Sequence, residues 1–290
     1  MKAGFVGLGA MGWHMAAHLA ERKLLGAVWN RTAATAEKFS AEHKVPAVAA
    51  PADLWAHCDA VILCISADAQ VLAMVDALAT PAARGKLVID DSTVSAATAR
   101  EAAMRLKQVG ARFLDAPVSG GTEGAKHARL VFMVGGDDAD VAAAQPLFDA
   151  MGARTVHLGP HGAGQATKAV NQVMNAGIEQ AVTEGMAFAE AMGLPLDKVV
   201  DVVGSGAAGS WFVQHRGKTM VRGEFAPGFK VALHHKDLLI CQQMARALGG
   251  TLPVAEATIP QYEELMRQGF GDEDVSALYR LNKHLFPEKP

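Results

Sequence analysis

The segment Gly7-Leu8-Gly9-Ala10-Met11-Gly12 follows the short apolar run Ala3–Val6 and opens a helical stretch reaching about Lys23. No other feature constrains the fold so strongly. Glycine at the first position permits a tight turn. At the second it lets a pyrophosphate approach the backbone, and at the third it lets the helix pack on the strand. The helix start then offers N–H groups and a positive dipole end to phosphate. A G-x-G-x-x-G pattern in isolation is also a common structural turn. The strand before it and the helix after it supply the context of a dinucleotide-binding fingerprint. Gly7, Leu8, Gly9, Ala10, Met11 and Gly12 are therefore expected to hold a nucleotide cofactor.

The alternation continues. Strands are expected at Ala27–Trp29, Ala60–Ile65, Leu87–Asp90, Arg112–Asp115, Leu130–Val134 and Thr155–Leu158, with helices at Thr32–Glu42, Ala67–Leu78 and Ala96–Val109. Ala60–Ile65 is a continuous apolar run, as a strand covered on both faces requires. Strand and helix in alternation predict an α/β fold, a Rossmann-type doubly wound, mostly parallel sheet. After Gly164 the strand patterns stop. Gln165–Met192 reads as one long helix, followed by helices at Leu196–Val203, Trp211–Val221, Val231–Ala247, Val254–Arg267 and Val275–Leu285. The expected organisation is a nucleotide-binding domain over 1–162 and an all-α substrate and oligomerisation domain over 163–290, joined by the long helix. With 50% apolar and 20% charged residues the chain can bury a sizeable core. A net charge of −3 gives no reason to expect nucleic acid or an anionic membrane as partner. Three cysteines without C-x-x-C spacing suit a reducing cytoplasm and no zinc knuckle. The N-terminus lacks a sustained signal-peptide core, and no run approaches the roughly 20 apolar residues of a spanning helix.

The end of the second strand bears on which dinucleotide is held. NAD enzymes usually carry Asp or Glu there to accept from the ribose 2′-OH. This chain has Asn30-Arg31-Thr32. No carboxylate would repel a 2′-phosphate, Arg31 can pair with it, and Asn30 and Thr32 can donate hydrogen bonds. An ordinary surface arginine would look the same. NADP(H) is the expected cofactor, with NAD(H) the alternative. Two later strand ends, Ile65-Ser66 and Asp91–Val94, should also face it, with the Thr93 hydroxyl near the nicotinamide. Ser66 and Ser95 read equally well as helix caps.

Ser119-Gly120-Gly121 ends another expected strand and presents a hydroxyl with bare backbone N–H groups, a nest that suits a carboxylate. A plain β-turn has the same shape. On the long helix, Gln165, Lys168, Asn171, Gln172, Asn175 and Glu179 recur at spacings of three and four and share a face. One lysine among amides, in an apolar setting, is a candidate proton donor, since burial lowers a lysine pKa toward working pH. A solvated helix face is the other reading. His14 with His18, and His157 with His161, have spacing that permits a metal, but neither has a third ligand nearby, so no metal is expected. Gly204-Ser205-Gly206 lacks the strand of a nucleophile elbow, and Cys64 falls in an apolar run as core.

Together the motifs resemble the β-hydroxyacid dehydrogenase family, which includes 3-hydroxyisobutyrate dehydrogenases, 2-hydroxy-3-oxopropanoate (tartronate semialdehyde) reductases and glyoxylate/succinic semialdehyde reductases. The resemblance is carried by GFVGLGAMG at 4–12, DSTVS at 91–95, FLDAPVSGG at 113–121, FMVGGD at 132–137, GAGQATKAVNQ at 162–172 and FAPGFKVALHHKDL at 225–238. These span nearly the whole chain. KAVNQ and GFKVALHHKDL look most like the tartronate semialdehyde reductases. The resemblance implies that Lys168 is the general acid of carbonyl reduction and that Asn171 positions substrate. It implies that Ser119, Gly120 and Gly121 bind the substrate carboxylate and that Thr93 and Lys236 contact the cofactor near the nicotinamide. Phe229 and Asp237 would line or brace the pocket. It also implies a homodimer or homotetramer. The expected activity is NADPH-preferring interconversion of a small carboxylate-bearing aldehyde and its hydroxyacid. The rivals are an NAD-dependent 3-hydroxyisobutyrate or threonate-type dehydrogenase, a glyoxylate/succinic semialdehyde reductase, and a non-catalytic dinucleotide-binding protein. The chain departs from the family at Gln172, where Asn is common, at Ala128 in KHARL, where Gly is usual, and at the paired His234-His235.

Overall fold

A computed structural model describes residues 1–286 and divides the chain into two compact units, residues 1–168 and the residues from Ala169 on. Five strands form the main sheet of the first unit: β1 (Ala3–Val6), β2 (Leu25–Trp29), β3 (Ala60–Leu63), β4 (Leu87–Asp90) and β5 (Arg112–Asp115). Their order is β2-β1-β3-β4-β5 and every pairing is parallel. Helices α1 (Gly12–Glu21), α2 (Ala33–His43), α3 (Asp68–Leu78) and α4 (Ala96–Gln108) make the crossovers. Alternate strand residues face opposite sides, so each side has its own core. Phe5, Ile62, Ile89 and Leu114 pack with Met15 and Leu19 of α1. Val6, Val61, Leu63, Val88 and Phe113 pack with Val71 and Val75 of α3 and Leu106 of α4.

A second, three-stranded sheet follows. It consists of β6 (Val118–Ser119), β7 (Leu130–Val134) and β8 (Gly152–His157), with β6 antiparallel to β7 and β8 parallel to it. Leu130–Val134 and the last strand, expected beside the others, belong to this sheet. Pro117 has no N–H to continue the ladder, and only one bridge, Asp115 to Gly135, links β5 to the segment after β7. Helices α5 (Gly121–Lys126) and α6 (Asp138–Met151) supply its connections, and the short segments Pro51–Ala56 and Pro81–Ala83 are 3-10 helices. β3 stops at Leu63, two residues short of expectation, because the Ile65 N–H turns to the Ser92 hydroxyl at 2.9 Å.

KHARL closes α5 with Ala128 in the left-handed region at φ 50. The turn survives without glycine, and Arg129 N–H still reaches the Gly124 carbonyl at 2.8 Å. The left-handed conformation costs a residue with Cβ roughly 1–2 kcal/mol, partly offset by the entropy glycine loses on folding. Ala128→Gly is therefore expected to stabilise the protein by up to about 1 kcal/mol. Urea unfolding at constant m-value measures it, and an unchanged or lower midpoint would show that the turn carries no strain.

α7 (Ala163–Ala191) is one 29-residue helix, about 43 Å long at 1.5 Å per residue. Its first six residues count with the first unit, since its start is tied to β4 and β5 as described below. The second unit comprises the rest of α7 with α8 (Leu196–Ser205), α9 (Trp211–Val221), α10 (Val231–Ala247), α11 (Pro253–Arg267) and α12 (Leu278–Asn282). Its core gathers Met186, Val213, Met220, Leu238, Tyr262, Leu265 and Tyr279. The expected helix over 275–285 is broken. Val275–Ala277 and Lys283–Leu285 are 3-10 turns on either side of α12. Asp274 draws the start tight, accepting from the N–H groups of Gly228, Phe229 and Ser276. Among the described residues, no helix is long and apolar enough to cross a membrane, and no group of three metal-ligating side chains forms.

Candidate active site

The glycine turn sits at the carboxyl end of β1, and Gly7 and Gly12 are required there for different reasons. Gly7 has φ +96, and a Cβ there would run into the Cys64 carbonyl. A Cβ on Gly12 would meet the Gly7 carbonyl, whereas one on Gly9 would meet nothing within 4 Å. Gly9 and Ala10 are exposed, so the loop is crowded behind and open in front. Among the described residues nothing accepts from the N–H groups of Gly9 and Ala10. A cradle of this shape at a helix start fits a dinucleotide pyrophosphate.

Leu8 and Met11 are part of the cradle as backbone. Leu8 is buried, and its N–H donates to Asn30 Oδ1 at 2.9 Å. The Asn30 amide nitrogen donates to the Thr32 carbonyl at 3.1 Å. Asn30 thus staples the end of β2 to the glycine turn, a role its sequence position did not suggest. Arg31 and Thr32 are exposed beside it, and Arg31 forms no ion pair among the described residues. Ser66 is exposed and caps nothing, since Ala67 precedes α3. Ser95 does cap α4, accepting from the Thr98 N–H at 3.0 Å.

Beneath these strand ends lie three buried carboxyls. Asp90 accepts from the Ser92 N–H at 3.1 Å, and burial pushes it up to about 7. Burial, then the proximity of Asp90, raises Asp91 well above the carboxylate range. Asp115 is pushed up by burial to about 6, held back by the N–H groups of Gly162 at 2.7 Å and Gln165 at 3.0 Å. Those two donors start α7, so Asp115 is its cap. The Cys64 thiol is raised to about 12, first by burial and then by Asp91 and Asp90, which leaves it a poor nucleophile.

Gln165 reaches back from α7 to both sides of Thr93. Its Oε1 accepts from the Val94 N–H at 3.1 Å and its Nε2 donates to the Ser92 carbonyl at 2.7 Å. Lys168 follows three residues on and is buried, with 8% of its surface exposed. Ser119 ends β6 half-buried, followed by Gly120 at φ +131 and Gly121 at φ +60. Both values lie where glycine is favoured.

In the second unit Asn171 Nδ2 donates to Gln172 Oε1 at 2.9 Å, and Gln172 Nε2 donates to Asp237 Oδ2 at 2.6 Å. Lys236 Nζ lies 2.8 Å from Asp237 Oδ1. Asn171, Gln172, Asp237 and Lys236 thus form one connected chain. The glutamine at position 172, unusual in the resemblance, has the length to reach from α7 to α10. His234, fully buried, lies 2.9 Å from Glu179 Oε2 and 3.1 Å from the Gln172 carbonyl. Burial lowers the imidazole pKa, but Glu179, with Asp237 and the Gln172 carbonyl, outweighs this and the net shift is upward. The Phe229 ring tilts against His234 at 5.1 Å, and its N–H is fixed by Asp274. Lys168 and Asn171 stand one turn apart on α7.

Similarity to known proteins extends over both units. The NAD-binding domain model of 6-phosphogluconate dehydrogenase matches residues 2–159, and the model of the NAD-binding region of NADP-dependent 3-hydroxyisobutyrate dehydrogenase matches 162–282. The chain is 33% identical to an NAD-dependent L-serine dehydrogenase of Pseudomonas aeruginosa, over 96% of each chain. It is 32% identical to a 2-hydroxy-3-oxopropionate reductase of Escherichia coli, again over 96% of each. A solved 3-hydroxyisobutyrate dehydrogenase of Mycobacterium tuberculosis, bound to L-serine, superposes with a TM-score of 0.87 at 30% identity, covering 97% of this chain and 98% of that one. A dinucleotide cradle at β1, a lysine and an asparagine one turn apart on α7, and matches along almost the entire length place the chain in the β-hydroxyacid dehydrogenase family, as an NAD(P)-dependent oxidoreductase.

Proposed function

We propose that this enzyme prefers NADP(H) and interconverts a small carboxylate-bearing aldehyde and its β-hydroxyacid. The observation that carries the reading is Lys168, buried in the first turns of α7 with Asn171 one turn on. The substrates named for the relatives are L-serine, 2-hydroxy-3-oxopropionate and 3-hydroxyisobutyrate. All three carry a carboxylate and an alcohol or aldehyde at the β-carbon, and they differ at the carbon between. The shared part is what the proposed residues recognise.

When bound, the dinucleotide donates or accepts a hydride at the nicotinamide ring. In the reductive direction the Lys168 ammonium gives its proton to the substrate oxygen as negative charge grows there, and stabilises that charge. In the oxidative direction Lys168 must first be neutral to accept it. Asn171 orients the reacting oxygen, and Gln172 fixes the Asn171 amide. Ser119 with the N–H groups of Gly120 and Gly121 holds the carboxylate. Thr93 and Lys236 stand beside the nicotinamide, with Asp237 orienting Lys236 and Phe229 lining the pocket. The glycine turn binds pyrophosphate, Arg31 and Thr32 take the 2′-phosphate, and Ile65 and Ser66 flank the cofactor from β3.

Parallel assays of 2-hydroxy-3-oxopropionate, glyoxylate, succinic semialdehyde, 3-hydroxyisobutyrate and L-serine, each with NADPH or NADP and with NADH or NAD, test the reading. No turnover of any would overturn it. Ser119→Ala should raise the KM of the acid about tenfold or more, since a hydrogen bond to a charged group contributes about 1.5–3 kcal/mol. The amide analogue of the substrate should be poor for the unmodified enzyme. Equal turnover of acid and amide would show that no carboxylate is read at Ser119.

A further inference from the structure

Gln165 is 1% exposed, and its whole side chain is committed to one segment. The two bonds of its amide fall on Ser92 and Val94, the residues flanking Thr93. A neutral amide accepts from an N–H on one side and donates to a carbonyl on the other at once, and it does so at every pH because it does not titrate. The clamp is braced on both sides. The Gln165 N–H donates to Asp115 at the end of β5, while the Ser92 hydroxyl accepts from the Ile65 N–H at the end of β3. The Ser92 N–H is held by Asp90. Three strand ends are thereby keyed to the turn of α7 that carries Lys168.

We propose that Gln165 is a positioning residue for the reaction. It fixes the backbone on either side of Thr93 in register with Lys168, so that the group beside the nicotinamide and the proton donor keep one spacing. The inference rests on the reading of Lys168 and Thr93 given above. Gln165 touches neither substrate nor cofactor, so its effect falls on kcat through geometry. A misplacement of about 1 Å at a reacting centre can cost about a hundredfold in rate.

Two variants test it. Gln165→Met keeps the volume and removes both bonds. Gln165→Glu keeps the acceptor for Val94 and, only while protonated, a donor for Ser92. Burial will raise the pKa of the introduced carboxyl above the usual range. Gln165→Met is expected to lower kcat by about ten- to a hundredfold. Its NADPH Kd by fluorescence titration should stay within about threefold, because the phosphates are held at the glycine turn. Deuterium uptake by a peptide spanning 92–94 should rise in the protein without cofactor. Gln165→Glu should approach the unmodified kcat at low pH and lose it as pH rises through the pKa of the new carboxyl, a limb additional to any that the neighbouring Asp90, Asp91 and Asp115 give both enzymes. A residue that merely supports the fold would change Tm without adding that limb. A Gln165→Glu profile parallel to the unmodified one overturns the inference, and this holds even where Gln165→Met does not fold. So does a Gln165→Met kcat within about threefold of normal alongside a Lys168→Ala loss of at least about a hundredfold, which leaves the reading of Lys168 standing. An active Lys168→Ala overturns that reading and the inference with it.

Discussion

Replacing Lys168 with alanine should lower kcat at least about a hundredfold, the lower limit for losing a general acid. Loss of the ammonium's charge stabilisation at the developing alkoxide adds to this. The residue is 8% exposed in the unmodified protein. NADPH affinity should change little, since the proposed phosphate contacts belong to the Gly7–Gly12 turn and Arg31. Lys168→Arg should not restore activity, because a guanidinium stays protonated and is a poor proton donor. Asn171→Ala should be milder, removing orientation and leaving the proton in place. Steady-state kinetics with fluorescence titration of NADPH decide it. A Lys168→Ala enzyme that binds NADPH normally and keeps more than about a tenth of kcat would take the acid's role from this residue.

Arg31→Ala should raise the KM for NADPH about ten- to a hundredfold and leave that for NADH nearly unchanged, the effect of losing a charge-assisted hydrogen bond of about 1.5–3 kcal/mol. Arg31 is exposed at the end of β2, and no acidic side chain in Asn30-Arg31-Thr32 competes for it. The staple of Asn30 to Leu8 and Thr32 keeps that end of β2 against the glycine turn, so the change should stay local. The KM ratio for the two cofactors, measured before and after substitution, is the readout. An unmodified enzyme that favours NADH would show that the absence of a carboxylate at this strand end does not select the phosphate.

The elements readable in advance were those whose pattern and punctuation agree. Ala3–Val6 with its glycine turn, Leu87–Asp90 and Val231–Ala247 have strong local signals and lie where expected. α6 gave no such signal, because Pro146 interrupts its helical pattern. The proline is tolerated there because Val141, Leu147 and Phe148 bury an apolar face. β6 and α5 are two and six residues long, too short for periodicity to show. The site divides in the same way. Gly7 and Gly12 are recognisable because each answers a local steric demand, and Gly9 completes the spacing between them. Gln165 stood out only as one polar residue on a helix face, since the groups it binds lie 71 and 73 residues earlier. Asp90 and Asp115 read as the polar ends of strands, and only the tertiary structure shows them buried. The bonds of Asn30 to Leu8 and of Gln172 to Asp237 likewise depend on partners that the fold brings near. Two amides recognisable as polar could be assigned their actual contacts only in the folded chain.

The cap of α7 has a consequence for the order of assembly. Its first N–H groups are satisfied by a carboxylate 47 and 50 residues back along the chain. A helix start with no local cap frays, and loop closure over that span carries an entropic cost before the contact forms. The turn bearing Lys168 therefore gains its full definition only after β5 has joined the sheet and placed Asp115. Catalytic competence would be among the last properties to appear during refolding, after most of the secondary structure. A chain cut between residues 159 and 162, where the two matched regions meet, would leave Asp115 buried without the backbone groups that hold it.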